Sequence, residues 1–162
     1  MPDDRPSDPT SLAREIREAR RAVLEAIATL PETRMYRATE RAGWTLKHDL
    51  SNLIARDAEI IHLLERAQQR AAGAAIDASE AVDLRRICGR AMHAAHEMRL
   101  AALREHLEHM GERAASAVEA AGEQLERPLA AAGREAETLV DLARAQVEHA
   151  RISIEAIRKH TG

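Results

Sequence analysis

Apolar residues near the start of the chain recur at alternating steps of three and four, which places them on one face of a helix. Asp8 followed by Pro9 predicts the start of this helix, because Asp is a favoured N-cap and Pro fits the first helical position. Pro31 predicts the end, since proline has no N–H to continue the backbone hydrogen bonds. The apolar stripe consists of Leu12, Ile16, Ala19, Val23, Ala26, Ile27 and Leu30.

A second helix is predicted after a connection that runs from residue 32 to residue 43, with Thr45 as its N-cap. Asp57 lies on the apolar face of this helix, one heptad after Leu50. A carboxylate in that place lies either at the edge of the core or inside it with a partner, because an unpaired buried charge is costly. The apolar members of the stripe are Leu46, Leu50, Leu53, Ile54, Ile61 and Leu64.

Residues 80–121 predict a third helix, preceded by a low-charge connection at residues 71–79. This helix carries two apolar stripes that are displaced by two residues. Such a displacement indicates that the helix bends, breaks near Gly89 or Gly111, or changes neighbours. The first stripe contains Leu84, Ile87, Ala91, Ala94 and Met98, and the second contains Leu100, Leu103, Leu107, Met110, Ala114 and Ala117.

A last stripe over residues 136–157 predicts the fourth helix, and Arg158 and Lys159 in its final turn complement the helix dipole. Four amphipathic helices joined by three connections favour an antiparallel bundle over an extended coiled coil. We therefore predict an all-α, single-domain four-helix bundle over residues 9–162. A disordered tail is predicted at residues 1–8, which are rich in Pro and Asp.

Composition agrees with helix throughout, since aromatic residues make up only 1% of the chain and Phe is absent. The formal net charge is -3 and no basic block stands out, so no nucleic-acid partner is expected. No apolar run approaches the ~20 residues that span a bilayer, and the N-terminus has no apolar signal core. The single cysteine, Cys88, cannot form an internal disulfide. We expect a cytoplasmic protein with no membrane partner.

The histidines suggest a site, because neutral imidazole is the commonest metal ligand and the facing helices of a bundle can build a metal centre. Two pairs have the i, i+3 spacing that puts both rings on one helix face, His93/His96 and His106/His109. Either pair could instead lie on a solvated or half-buried face. The eight histidines are His48, His62, His93, His96, His106, His109, His149 and His160.

Two further polar faces lie beside the apolar stripes of the second and last helices. His48 and Asn52 are one turn apart, and His149 lies beside Gln146 and Ser153. A single histidine in such a place is either a metal ligand or a hydrogen-bonded surface residue. Both interpretations stay open at the level of the sequence.

The run from Gly43 to Leu53, GWTLKHDLSNL, resembles the start of the second helix in the DinB-like superfamily. Those proteins have Gly-Trp-Ser/Thr there, followed by a His-Leu pair eight residues after the Trp. The segment from Val147 to Arg158 is similar to their closing helix, which normally carries His-x3-His. Helix order and the placement of the connections also agree, so the resemblance covers almost the whole chain after residue 12.

The resemblance implies a bundle that binds a divalent metal, often zinc or nickel, through three histidines. The metal would activate the thiol of mycothiol, bacillithiol or glutathione by lowering its pKa. Here Asn52 occupies the second-helix histidine position. The last-helix positions fall on Ala145 and His149 in one alignment, or on Gln146 and Ala150 in the other. Because amide oxygens bind these metals more weakly than imidazole does, the usual triad is incomplete.

Two hypotheses of function follow from the resemblance. In the first, the protein is a metal-dependent thiol transferase or isomerase with a displaced site, in which His48 and His149 bind the metal and Asn52 and Gln146 orient substrate or water. In the second, the bundle has lost its metal and binds a small ligand or a protein partner, with a homodimer as the expected assembly. The second hypothesis predicts a cavity near Trp44 and Asp57.

Overall fold

The computed structural model describes residues 8–68, 80–126 and 138–161, and within those ranges the chain is all-α. The described residues form five α-helices, and a 3₁₀ helix follows α1 and another follows α4. The α-helices are α1 (Pro9–Ile27), α2 (Leu46–Gln68), α3 (Glu80–His96), α4 (Leu100–Ala121) and α5 (Leu139–Thr161). The 3₁₀ helices are Glu32–Tyr36 and Gly122–Glu126.

Helix α1 begins as the sequence predicts, since the Asp8 carboxylate accepts hydrogen bonds from the backbone N–H groups of Thr10 and Ser11 at 3.3 and 3.2 Å. Asp8 is therefore part of the first helix cap, and the rest of the predicted tail lies outside the described residues. Helix α4 ends at Gly122, whose φ of 53° lies in the left-handed region that glycine adopts without strain.

The predicted third helix is wrong as a single element, because residues 80–121 form two helices, so the described residues contain five α-helices rather than four. The break falls at residues 97–99, where Arg99 is extended, and not at Gly89 or Gly111. The two apolar stripes of this segment meet at that point. They diverge because the two helices have different neighbours, with α3 packed on α2 and α4 packed on both α1 and α2.

The core lies between α1, α2, α4 and α5, and α3 covers another side of α2. Helix α2 packs against three other helices, so most of its residues are buried, including polar ones such as Ser51 and Asp57. No helix in the described ranges is both long and apolar enough to cross a membrane. The predicted connection at residues 71–79 lies outside those ranges, as does the start of the predicted fourth helix before residue 138. The fully buried large side chains include Ile27, Leu50, Ile54, Leu63, Leu103, Leu107 and Ile157.

Candidate functional site

A buried ion pair joins α1 to α2 in the core. The guanidinium of Arg20 donates two hydrogen bonds to the Asp57 carboxylate, at 2.8 and 3.0 Å, and a third to the backbone oxygen of Leu107 in α4 at 2.6 Å. Asp57 is 0% exposed and Arg20 is 4% exposed. The sequence left open whether Asp57 lies at the edge of the core or inside it, and the structure places it inside with a partner.

Gln146 extends this cluster to α5. Its Nε2 donates to the backbone oxygen of Leu53 at 3.1 Å and makes a second, short hydrogen bond to Asp57. Burial raises the pKa of Asp57, and the guanidinium of Arg20 opposes that shift by favouring the carboxylate. We name Arg20, Asp57 and Gln146 the core polar cluster. It ties four helices together and leaves little room for a substrate.

Gly111 makes the position of Arg20 possible. A Cβ atom on Gly111 would lie 2.7 Å from Cγ and 2.9 Å from Nη1 of Arg20, closer than atoms approach in folded proteins. Gly111 itself is buried in α4, where glycine is otherwise unfavourable by about 1 kcal/mol relative to alanine. Its role is therefore steric rather than that of a helix break.

His48 completes the cap at the start of α2. The backbone N–H of Thr45 donates to Nδ1 of His48 at 3.0 Å, and the backbone N–H of His48 points back at the Thr45 hydroxyl at 3.4 Å. This reciprocal pair is a capping box in which histidine replaces the usual Glu or Gln. Because a backbone N–H can only donate, Nδ1 is the acceptor, and the proton of the neutral ring is on Nε2.

Three rings form a row along this end of α2. The Trp44 and His48 ring centroids are 5.7 Å apart, and the His48 and His96 centroids are 4.4 Å apart. The guanidinium of Arg41 lies 4.5 Å from the centroid of Trp44. Burial lowers the pKa of His96, and the neighbouring charge of His48 lowers it further. His96 is thus the α3 histidine that contacts the predicted ligand His48, whereas His93 is exposed.

The other predicted ligand, His149, is half-buried on α5. Burial lowers its pKa, and the nearby charges of Arg56 and Arg41 lower it further. Asn52, at the position of the missing histidine, is also half-buried. Among the described residues, no three His, Cys, Asp or Glu side chains are arranged to hold a metal ion.

A surface cleft lies between the loop before α2, the first turn of α2 and the second half of α5. We name it the α2–α5 cleft; its volume is about 240 Å³. Lys159 on α5 bonds to Glu40 in the loop at 2.8 Å, so an ion pair connects the two sides. Ile152 contributes an apolar surface that is 48% exposed. The lining residues are Thr39, Glu40, Arg41, Asp49, Ile152, Glu155, Ala156 and Lys159.

Neither residue of the predicted cavity, Trp44 or Asp57, lines the cleft. The cleft includes Arg41, whose guanidinium lies over the Trp44 ring. Asp57 does not line it, because that carboxylate is used inside the core. Burial raises the pKa of Asp49 in the cleft, while the positive charge of Arg41 lowers it.

Sequence reasoning missed Arg20 and Arg41, for different reasons. Arg20 occupies a position on the α1 stripe, four residues after Ile16 and three before Val23, so a charge on an apolar face was a signal that could have been read. Arg41 gives no such signal, because it lies in a connection whose path only the fold determines.

Acidification is expected to destabilise the protein because burial lowers the pKa of His106, with the charge of His109 adding to the effect. Its folded pKa lies below the ordinary 6.5, so the unfolded state binds more protons between those two values. The contribution of neutral His106 to the stability of the folded protein is fully present above pH 6.5, and it is lost as the pH falls through the lowered pKa of His106. His96 and His149 act in the same direction.

Thermal unfolding between pH 7.5 and 5.5 measures this effect as a falling midpoint. The His106→Gln variant should show a shallower fall than the wild type. The matched control is His93→Gln, which replaces an exposed histidine of α3 and should leave the pH dependence unchanged. A wild-type midpoint that stays constant over this range would contradict the prediction.

No protein-family model, curated protein or solved structure matches this chain.

Proposed function

We propose that this protein is a DinB-like helical module that binds a small zwitterionic molecule in the α2–α5 cleft without a resident metal. The observation that carries the proposal is the cleft itself, which combines charges of both signs with an exposed apolar side chain, Ile152. Concave sites of this kind hold small ligands through a few placed polar groups around an apolar surface. The α1, α2, α4 and α5 core is the part of the chain that corresponds to the proposed four-helix scaffold.

The donor chemistry of the predicted metal residues supports a metal-independent function. An imidazole that binds a metal through Nε2 normally carries its proton on Nδ1, where it is fixed by an acceptor. Nδ1 of His48 instead accepts from the Thr45 N–H, so His48 as arranged does not fit that pattern. Gln146 uses its amide N–H groups within the core polar cluster, and its oxygen is buried without a partner. The arrangement of His48 and Gln146 supports a site that works without zinc or nickel.

The expected ligand class is the low-molecular-weight thiols that the resemblance implies, of which glutathione and bacillithiol carry both an ammonium group and carboxylates. A ligand carboxylate would meet Arg41 or Lys159, and an ammonium group would meet the carboxylates that face them. The apolar portion of the ligand would contact Ile152 and Ala156. Binding therefore requires the two sides of the cleft, one from the loop and one from α5.

Reduced glutathione is the probe for this proposal. In a titration followed by ¹H–¹⁵N NMR, we expect saturable shifts of the backbone signals of residues 39–41, 49 and 152–159. Arg41→Gln should weaken binding about threefold, because a ligand carboxylate would have to share the Arg41 guanidinium with the Trp44 ring. The matched control is Arg113→Gln, which removes an exposed arginine of α4 outside the cleft.

The metal requirement is decided in the same experiment. Glutathione affinity should be equal in EDTA and in stoichiometric zinc or nickel, and elemental analysis should find less than one metal per chain. Stoichiometric zinc or nickel that is lost in His48→Ala or His149→Ala would contradict metal independence and support the displaced-site enzyme. Absence of shifts in the cleft at millimolar glutathione would contradict the binding proposal.

A further inference from the structure

The α2–α5 cleft carries more negative than positive charge. Three carboxylates line it, from Glu40, Asp49 and Glu155, against two cations, Arg41 and Lys159. A cleft with this balance attracts a cationic group more strongly than an anionic one, because the charges act across a partly desolvated space. The charge balance alone does not say where that group would lie.

Both cations of the cleft already have partners. Lys159 bonds to Glu40 at 2.8 Å, and the guanidinium of Arg41 lies over the ring of Trp44 at 4.5 Å from its centroid. A ligand anion would have to displace Glu40 from Lys159 or compete with the aromatic ring for Arg41. The positive side of the cleft is therefore the less available side.

Asp49 is the available group on the negative side. It is half-buried in the first turn of α2, and within the part of the chain that the structure describes its carboxylate makes no hydrogen bond and no ion pair. Arg41 is near enough for its charge to act on Asp49, but it does not form an ion pair with it. A half-buried carboxylate without a hydrogen-bond donor gains most from a ligand that brings donors of positive charge.

An apolar surface faces the same space. Ile152 is 48% exposed and Ala156, one turn later on α5, also lines the cleft. An isoleucine that is half exposed inside a concave site provides contact area for an aliphatic chain. A ligand that fits the cleft therefore has a positively charged head group next to Asp49 and an aliphatic portion next to Ile152.

We infer that the α2–α5 cleft selects its ligand through a primary ammonium group that is bound by Asp49, with the adjoining aliphatic chain lying on Ile152 and Ala156. This inference rests on the proposed function and specifies that the ammonium end of the zwitterion provides the larger part of the affinity. The ammonium donates to the Asp49 carboxylate, and Glu155 adds attraction from the α5 side. The Glu40–Lys159 ion pair stays intact when the ligand is bound.

The experiment uses three probes with the same four-carbon tail and different heads: n-butylammonium, n-butanol and butyrate. NMR titration of the wild-type protein should give saturable shifts of residues 39–41, 49 and 152–156 with n-butylammonium. Butanol and butyrate should bind at least about tenfold more weakly, since they lack the charge-assisted hydrogen bond. Asp49→Asn keeps the shape of the side chain and should weaken n-butylammonium binding by about the same factor.

The matched control is Glu65→Gln, which neutralises an exposed carboxylate of α2 located roughly 24 Å further along the helix. It should bind n-butylammonium as the wild type does, and circular dichroism should show both variants folded. Equal affinity for n-butylammonium and butyrate, or an unchanged affinity in Asp49→Asn, would overturn the inference. If glutathione still shifts the cleft signals in that case, the proposed function survives; loss of every response in the cleft would remove both.

Discussion

Replacing Asp57 by alanine is expected to lower the free energy of unfolding by about 3–5 kcal/mol. The variant leaves the guanidinium of Arg20 in the core with only the Leu107 oxygen as an acceptor, although Arg20 stays charged. It also removes one acceptor of Gln146. Urea denaturation followed by circular dichroism measures the change as a lower midpoint.

Two controls separate this effect from the general cost of losing an ion pair. Glu112→Ala breaks the surface pair between Glu112 and Arg17, which joins α1 to α4, and should cost less than about 1 kcal/mol. The double variant Arg20→Met/Asp57→Leu replaces both charges by apolar groups and should be more stable than Asp57→Ala. A midpoint for Asp57→Ala equal to that of the wild type would contradict the assigned role, as would a double variant no more stable than the single one.

Gly111→Ala is expected to lower the free energy of unfolding by about 1–3 kcal/mol, although alanine is the better helix former. The added Cβ would lie 2.7 Å from Cγ of Arg20, and Arg20 cannot move away without lengthening its bonds to Asp57. Thermal unfolding should show a lower midpoint.

Gly89→Ala is the matched control because the exchange is the same and Gly89 also lies in a helix. A Cβ on Gly89 meets no atom within 4 Å, so this variant should be more stable than the wild type by up to about 1 kcal/mol. In an Arg20→Met/Asp57→Leu background, Gly111→Ala should lose most of its cost. The prediction is wrong if Gly111→Ala and Gly89→Ala have the same midpoint.

The helical class and the start of α1 were within reach of the sequence because they depend on local chemistry, whereas α1 ends at Ile27, before the predicted stop at Pro31. Alternating steps of three and four place the apolar residues on one face, and Asp8 caps α1 through the two backbone N–H groups that follow it. All six apolar residues of the predicted α2 stripe are buried. These features require only the residues themselves and their near neighbours along the chain.

The break at residues 97–99 was indicated but misplaced, because glycine was used as its marker. Gly111 serves instead to admit Arg20, and Gly89 is exposed within an intact helix. The displaced stripes marked the break correctly, between Met98 and Leu100. The apolar stripe shifts where the helix packs against different neighbours. Because those neighbours are distant in the sequence, the apolar pattern indicates the change only indirectly.

The sequence could predict which residues of the candidate site have side chains capable of binding or catalysis, such as His48, Asn52 and Gln146. It could not predict all of the hydrogen-bond partners of these side chains. His48 caps α2 through a contact three residues away, and Gln146 reaches Asp57 from another helix, 89 residues along the chain. The first relation is local and could have been predicted from the capping-box spacing.

The sequence by itself determined that the described part of this chain is helical, where α1 and α2 begin, and which face of α2 is buried, because each depends on interactions within a few turns of one helix. Tertiary structure alone decided that Arg20 and Asp57 pair across the core, that Gly111 makes room for them, and that the α2–α5 cleft collects charges from the loop and from α5. Those features require residues far apart in the chain to be brought together. The periodicity of apolar residues along the chain does not indicate which distant side chain will be the partner of a given residue.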